Sequence, residues 1–313
     1  MQHNKKHAQA LVMLSLTSFV WGIGFLLSDH MLSHGFEQLP FSLNALRFLT
    51  GTLVLVALFA RKLKFNKSIL FYGGFGGLLL FAGFTLQLVG LNYTTPSNSG
   101  FFTASYVVIV PFVAWLFLKK KPNKFVLAGV VSALVGLMIL NLDFSQADAL
   151  DETVTFGNLL TLCCALCFAG QMVVTDAGLK KCDSITITFT QIATATVLFV
   201  ATALIFETQT FVATPIDWGH CWWGIAVTGA LGTGFAYYAQ TEAQNYLSAS
   251  ETSIIVGLES PIGAVAAVVV GREVFSVPMV VGGLLVVLAV MLIDVVPKTI
   301  AKKKAKSTPQ DTN

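Results

Sequence analysis

Charge is what this chain has least of. Only 11% of its 313 residues are Asp, Glu, Lys or Arg, while 55% are hydrophobic. Soluble domains carry about 25% charged residues, and no soluble core could absorb this much apolar sequence. The chain is therefore expected to be an integral membrane protein. Other shortages exclude chemistries. There is no Gly-x-x-x-x-Gly-Lys-[Ser/Thr] loop, so ATP is not expected to drive it. Gly22-Ile-Gly24 lies in an apolar helix with no strand before it, which removes a dinucleotide reading. The five cysteines show no disulfide spacing, and Cys163, Cys164 and Cys167 share one apolar span that has no His and only a single Cys-x-x-Cys, not the two pairs of a zinc site. They read as small buried hydrophobes, with no metal expected. The five histidines, His3, His7, His30, His34 and His220, sit at segment ends or in loops. That argues against an intramembrane enzyme, which needs a nucleophile–base pair or a ligand cluster on facing helices. No catalytic residue, cofactor or nucleic-acid partner is expected.

What is abundant is apolar sequence in runs of about 20 residues, the length that crosses a bilayer as a helix. Ten such segments can be marked, at 8–29, 40–60, 69–91, 98–118, 125–142, 156–176, 184–206, 219–241, 250–270 and 277–296. The first follows Lys5 and Lys6 as a signal peptide would. It is longer than a usual signal core and has no small-x-small cleavage site, so it reads as a retained helix. With ten crossings, all Lys and Arg except Arg47 and Arg272 fall on one side. The opposite loops hold Glu37, Asp143, Asp148, Asp151, Glu152, Glu207, Asp217 and Glu273. Basic residues stay cytoplasmic, so both termini are expected there, in the inner (plasma) membrane of a bacterial-type cell. The basic tail reads as disordered, with a topological role.

Glu259 lies in the ninth segment with Pro261 two residues on. At ~1.5 Å per residue it sits roughly 13 Å into a core about 30 Å thick. A charge there costs about 2.5–3.5 kcal/mol on insertion scales, so it must face protein or water.

The second half echoes the first. At an offset of 153, Gln87 meets Gln240, Asn92-Tyr93 meets Asn245-Tyr246, Lys119-Lys120 meets Arg272-Glu273, Gly129 meets Gly282, and Tyr106 meets Glu259. Earlier the offset is shorter: Asp29 meets Asp176 at 147, and Arg47 meets Gln191 at 144. Two halves of five helices each must insert in opposite directions, the inverted-repeat plan of secondary transporters, with a substrate site near the midplane between the halves. The same axis would bring Tyr106 and Glu259 near the bilayer centre.

Candidate site residues follow from polarity in the wrong solvent. Glu259 could bind a proton, a cationic substrate group or Arg47; the plain alternative is a structural partner for another helix. Arg47, about 10 Å into the second segment, could pair with an anionic substrate group or Glu259, or snorkel to the interface. Gln87 and Gln240, like Gln171 and Gln191, could serve a substrate or merely bond helix to helix, at ~0.6 kcal/mol each. Glu242 can reach the interface from near the end of its segment. Trp21, Tyr106 and Tyr237 are candidate cavity-lining aromatics, whereas Trp222 and Trp223 fit an interfacial belt. The glycines at 73, 74, 76 and 77 read as helix-packing positions.

Several of these motifs resemble one family. Gln87-Leu-Val-Gly-Leu91, Thr95, Ser99-Gly-Phe101 and Tyr106-Val-Val-Ile-Val-Pro111 are similar to the third and fourth helices of the drug/metabolite transporter superfamily, with its paired EamA repeats. Gln240-Thr-Glu-Ala-Gln244, Leu258-Glu259 and Gly271-Arg-Glu273 are similar to its eighth and ninth helices. The family's Leu-Glu-Pro-Val becomes Leu258-Glu259-Ser260-Pro261, with the proline displaced by one. The resemblance spans nearly the whole chain. It implies an all-α membrane protein of ten helices in two inverted EamA-type repeats, 8–142 and 156–296, followed by a basic cytoplasmic tail, 297–313. It also implies a central cavity and alternating access. The expected function is secondary transport of a small metabolite, first as an exporter of amino acids or related compounds, second as an importer of a vitamin or cofactor such as riboflavin. Protons are the candidate coupling ion.

Overall fold

The computed structural model describes residues 2–94, 96–141, 152–272 and 274–307, and among them every regular element is a helix. In chain order they are α1 (Gln2–Met31), α2 (Pro40–Phe59), α3 (Lys67–Leu91), α4 (Pro96–Ala104), α5 (Tyr106–Leu118), α6 (Lys124–Asn141), α7 (Glu152–Gly178), α8 (Ser184–Phe206), α9 (Thr208–Ala213), α10 (Trp218–Val227), α11 (Ala236–Ala243), α12 (Ala249–Val256), α13 (Glu259–Val269) and α14 (Val277–Ser307). Two wider π-type turns, Leu32–Phe36 and Thr228–Phe235, continue α1 and join α10 to α11. Among the described residues, eight helical spans are long and apolar enough to cross a membrane, Ser99–Leu118 and Ala249–Val269 each joining two of these helices, and Lys124–Leu140 is a shorter apolar helix.

Local signals start these helices where the chain leaves its loops. Pro40 occupies the first turn of α2, where its missing N–H costs nothing. Asn66 and Asp183 side chains accept from Ile69 and Thr186 amides to open α3 and α8. Ser248 and Glu251 form a reciprocal capping box at the start of α12.

The segment expected as one helix over 250–270 is two. Pro261 has no N–H to give Gly257, and the chain tightens there, with Leu258 N–H donating to Ile255 O at 3.1 Å and Ser260 N–H to Gly257 O at 3.3 Å. The 98–118 segment is also broken, at Ser105 between α4 and α5, with Pro111 inside α5. The 219–241 segment is interrupted by the Thr228–Phe235 turn. The tail also differs from expectation: α14 runs on through Pro297 to Ser307. Alanine and lysine are good helix formers, and extending an existing helix is easier than starting one. Residues 308–313 lie outside the described residues, as do Thr95, Asp143, Asp148, Asp151 and Glu273.

α2 packs on α8, α3 on α7 and α8, α6 on α14, and α1 on α13 and α11. Gly73, Gly76 and Gly77 of α3 meet Thr190, Gln191 and Thr194 of α8, so small residues allow that close crossing. The outer surface is apolar: Leu58, Phe117, Ile205 and Phe206 are each about two-thirds or more exposed. Water would penalise such a surface and lipid would not, which makes this a multi-pass membrane protein.

A cavity at the broken helices

Where the two broken helices meet, the Tyr106 hydroxyl donates to Glu259 Oε1 at 2.8 Å, with both side chains buried. Each residue opens the second part of its helix, Tyr106 starting α5 and Glu259 starting α13. The carboxylate thus sits at a helix N-terminus, where the backbone dipole favours negative charge. The helices reach this point because α1 lies unusually close. A Cβ on Gly22 would stand 2.7 Å from Glu259 O and 3.0 Å from Gly263 N.

Both residues line a cavity of about 990 Å³, together with Arg47, Gln87, Gln171, Trp21, Tyr237 and Gln240. Arg47 is mostly buried and forms no ion pair among the described residues. Its Nη1 donates weakly to Ser28 Oγ at 3.4 Å, its guanidinium stands 5.7 Å from the Phe84 ring centre, and its Nε is buried without a partner. In this conformation the partner of Glu259 is Tyr106 and not Arg47. Trp21 donates from Nε1 to Gly232 O at 2.7 Å and lies 5.0 Å from the Tyr237 ring. The Gly232 carbonyl belongs to the π-type turn, whose wider winding changes the local backbone bonding.

The glutamines divide. Gln87 Nε2 donates to Thr103 Oγ1 at 3.1 Å. Gln240 Nε2 donates to Gln171 Oε1 at 3.3 Å, Gln171 Nε2 to Gln191 Oε1 at 2.9 Å, and Gln191 Nε2 to Thr175 Oγ1 at 2.8 Å. Thr175 in turn donates to Gln171 O, which orders the amides along the chain and leaves Gln240 Oε1 buried with no partner among the described residues. Glu242 lies outside the cavity lining and bonds Ser184 Oγ and Asn245 Nδ2. Glu207 bonds Phe41 N–H, Ser42 N–H and Ser42 Oγ at 2.6–2.9 Å, capping α2 from another helix.

Sequence reasoning did not single out two ion pairs at the ends of the molecule. Lys120 Nζ reaches both Asp176 oxygens at 2.8 Å. Arg272 Nη1 bonds Asp29 Oδ2. The cavity extends to the Asp29–Arg272 end, and its lining includes neither Lys120 nor Asp176. Between Glu259 and the Lys120 end the chain is packed with Val107, Val110, Ala114, Ile254, Ile255 and Val173.

Apolar helices around a largely apolar cavity, which shelters a few ionisable and amide groups from lipid, make a membrane protein with an open space between its helices. Comparison with known proteins agrees. Residues 8–142 and 155–294 match the EamA-like transporter family, and the chain belongs to that family. It is 28% identical over 282 residues to an uncharacterized transporter of Archaeoglobus fulgidus, covering 90% of this chain and 84% of that protein. It is also 24% identical to the uncharacterized transporters YetK, over 80% of this chain and 77% of that one, and YyaM, over 91% and 93%, both of Bacillus subtilis. A crystal structure sharing 16% identity superposes with a TM-score of 0.77, over 94% of this chain and 99% of its own, and so shares the fold.

Proposed function

We propose that this chain is a secondary transporter that moves a small metabolite across the cytoplasmic membrane by alternating access, as an exporter of amino acids or related compounds. The observation that carries the reading is the buried Tyr106–Glu259 hydrogen bond, which joins residues 153 apart inside a cavity also lined by Arg47. A side chain that bonds its own repeat counterpart lies on the pseudo-twofold axis. Two other bonds have the same property: Thr52 and Thr196 hydroxyls at 2.8 Å, 144 apart, and Ser132 Oγ to Leu285 O at 2.7 Å, 153 apart. They support two inverted five-helix repeats, 8–142 and 156–296.

On this reading there are ten crossings. The eight long helices are joined by Lys124–Leu140 and by the run α10, Thr228–Phe235 and α11. The lysine bias puts both termini and the basic tail 297–313 in the cytoplasm. Arg47 offers an unpaired cation to a substrate carboxylate, while Glu259 takes a substrate ammonium or a proton as coupling ion. Gln87, Gln240, Trp21 and Tyr237 complete the lining. The Trp21–Tyr237 pair would also suit a flat ring, which keeps import of a vitamin such as riboflavin as a second reading.

The test is uptake and efflux of a metabolite panel in proteoliposomes, with and without an imposed pH gradient. Flux of at least one metabolite, lost in Glu259→Gln and Arg47→Ala, is expected. Unchanged flux in both variants would overturn the site, and indifference to the gradient would overturn proton coupling.

A further inference from the structure

The two ion pairs are the same device built twice. In the first half, α5 ends on Lys119, which adopts a left-handed conformation with φ 58°, and the next residue, Lys120, meets Asp176 at the C-terminal end of α7. In the second half, α13 is followed by Gly271 with φ 75°, and the next residue, Arg272, meets Asp29 near the C-terminal end of α1. A left-handed residue turns the chain sharply off the helix axis, so each turn swings the following cation across onto a neighbouring helix. The structural counterpart of Arg272 is therefore Lys120. The sequence pairing of Lys119 with Arg272 is one residue out, because the turn sits one position earlier in the second half relative to a constant offset of 153.

The two copies differ in burial. Asp176 is 7% exposed and also accepts from the Ala249 N–H at 3.4 Å, which ties α7 to the start of α12. Asp29 and Arg272 are 53% and 49% exposed at the mouth of the cavity. The two cations are similarly exposed, Lys120 at 42%, so the copies differ in the carboxylate, which is buried at the Lys120 end and wet at the accessible end. A buried carboxylate holds its cation's element in place, because losing the cation strands a charge out of water. A half-exposed pair is worth little.

We propose that Lys120–Asp176 and Asp29–Arg272 are alternating latches: the carboxylate of each is buried when its own end of the cavity is shut, and the balance between them decides from which side the cavity is reached. The structure has the Lys120–Asp176 latch shut. The proposal rests on the two-state transport reading, but its test needs no substrate. Failure to find flux would therefore leave the latch result standing, and the reverse also holds.

The reporter is Gly24→Cys in a background with the five native cysteines replaced. Gly24 lines the cavity, and a Cβ there meets nothing within 4 Å. The rate of modification by a membrane-impermeant maleimide added from the Arg272 side measures how often that end is open. Lys120→Gln is expected to slow labelling about tenfold, a modest effect for a buried carboxylate left without its cation in a two-state equilibrium. Lys120→Arg should keep the parent rate within about twofold. Arg272→Gln alone should not slow labelling, and combined with Lys120→Gln it should return the rate to within about twofold of the parent. Should Lys120→Gln fail to fold, the exposed Arg272→Gln still decides, since slower labelling there contradicts the latch. Equal rates in parent and Lys120→Gln, or a double variant slower than Lys120→Gln, would overturn the proposal.

Discussion

The hydroxyl of Tyr106 and the carboxylate of Glu259 meet at 2.8 Å across 153 residues of chain, each at the first position of a restarted helix. A buried hydrogen bond to a charged group contributes about 1.5–3 kcal/mol, and leaving its partner unsatisfied costs a similar amount. Tyr106→Phe is expected to lower the unfolding temperature in detergent by several degrees and to cut flux about tenfold. Glu259→Gln keeps an acceptor for the tyrosine, so it should fold nearly as well as the parent yet abolish transport. A Glu259→Gln variant that transports normally would reduce this pair to a structural contact.

Arg47 gives the opposite signature. Among the described residues it has no carboxylate partner to strand, and its desolvation is poorly offset by Ser28 and the Phe84 ring. Arg47→Ala should therefore leave thermal stability unchanged or raise it by about 1 kcal/mol, since removing a poorly compensated buried charge is often neutral or favourable. Flux should fall below detection. A large loss of stability in Arg47→Ala would mark the residue as structural.

Gly22 and Gly24 make an internal control. Alanine is favoured over glycine in a helix by ~1 kcal/mol, so both Ala variants would stabilise α1 if nothing else intervened. A Cβ on Gly22 would fall 2.7 Å from the Glu259 carbonyl, whereas one on Gly24 is free. Gly22→Ala should melt lower than the parent and lose flux by displacing α13; Gly24→Ala should melt at or above it. Equal melting of the two variants would contradict the close approach.

Glu207 caps α2 from the end of α8, with both oxygens engaged and the side chain buried. Loss of a cap costs about 0.5–2 kcal/mol. Glu207→Ala should show that loss by thermal unfolding, with Ser42→Ala smaller because it removes one of the three bonds. Flux per folded molecule should stay within about twofold, since Glu207 is absent from the cavity lining.

Much of the fold could be read directly. Apolar run length marks helices because an unsatisfied backbone is intolerable in lipid, and the 184–206 segment coincides with α8, Ser184–Phe206. The Tyr106–Glu259 contact follows an offset visible in the residues because repeat counterparts on a twofold axis must meet. The helix breaks were less legible. Pro261 and Pro111 signal strain, but whether the chain kinks, unwinds or restarts depends on neighbours such as Gly22. The π-type turn at Thr228–Phe235 has no composition of its own. Lys120 and Arg272 read as loop charges and Asp29 and Asp176 as repeat counterparts, and their pairing depends on two left-handed turns that the sequence announces only at Gly271.

By itself the sequence determined the solvent of this protein, its helical content and its two-fold internal plan. These rest on transfer energies and chain length, which act on each segment separately. Tertiary structure decided which polar groups meet: Glu259 with Tyr106 rather than Arg47, Gln240 with Gln171, and one ion pair with its carboxylate buried while its twin's is wet. A charge in a helix must find shelter, but its partner is set by helix crossings and chain turns of a few ångströms, and those belong to the packed whole.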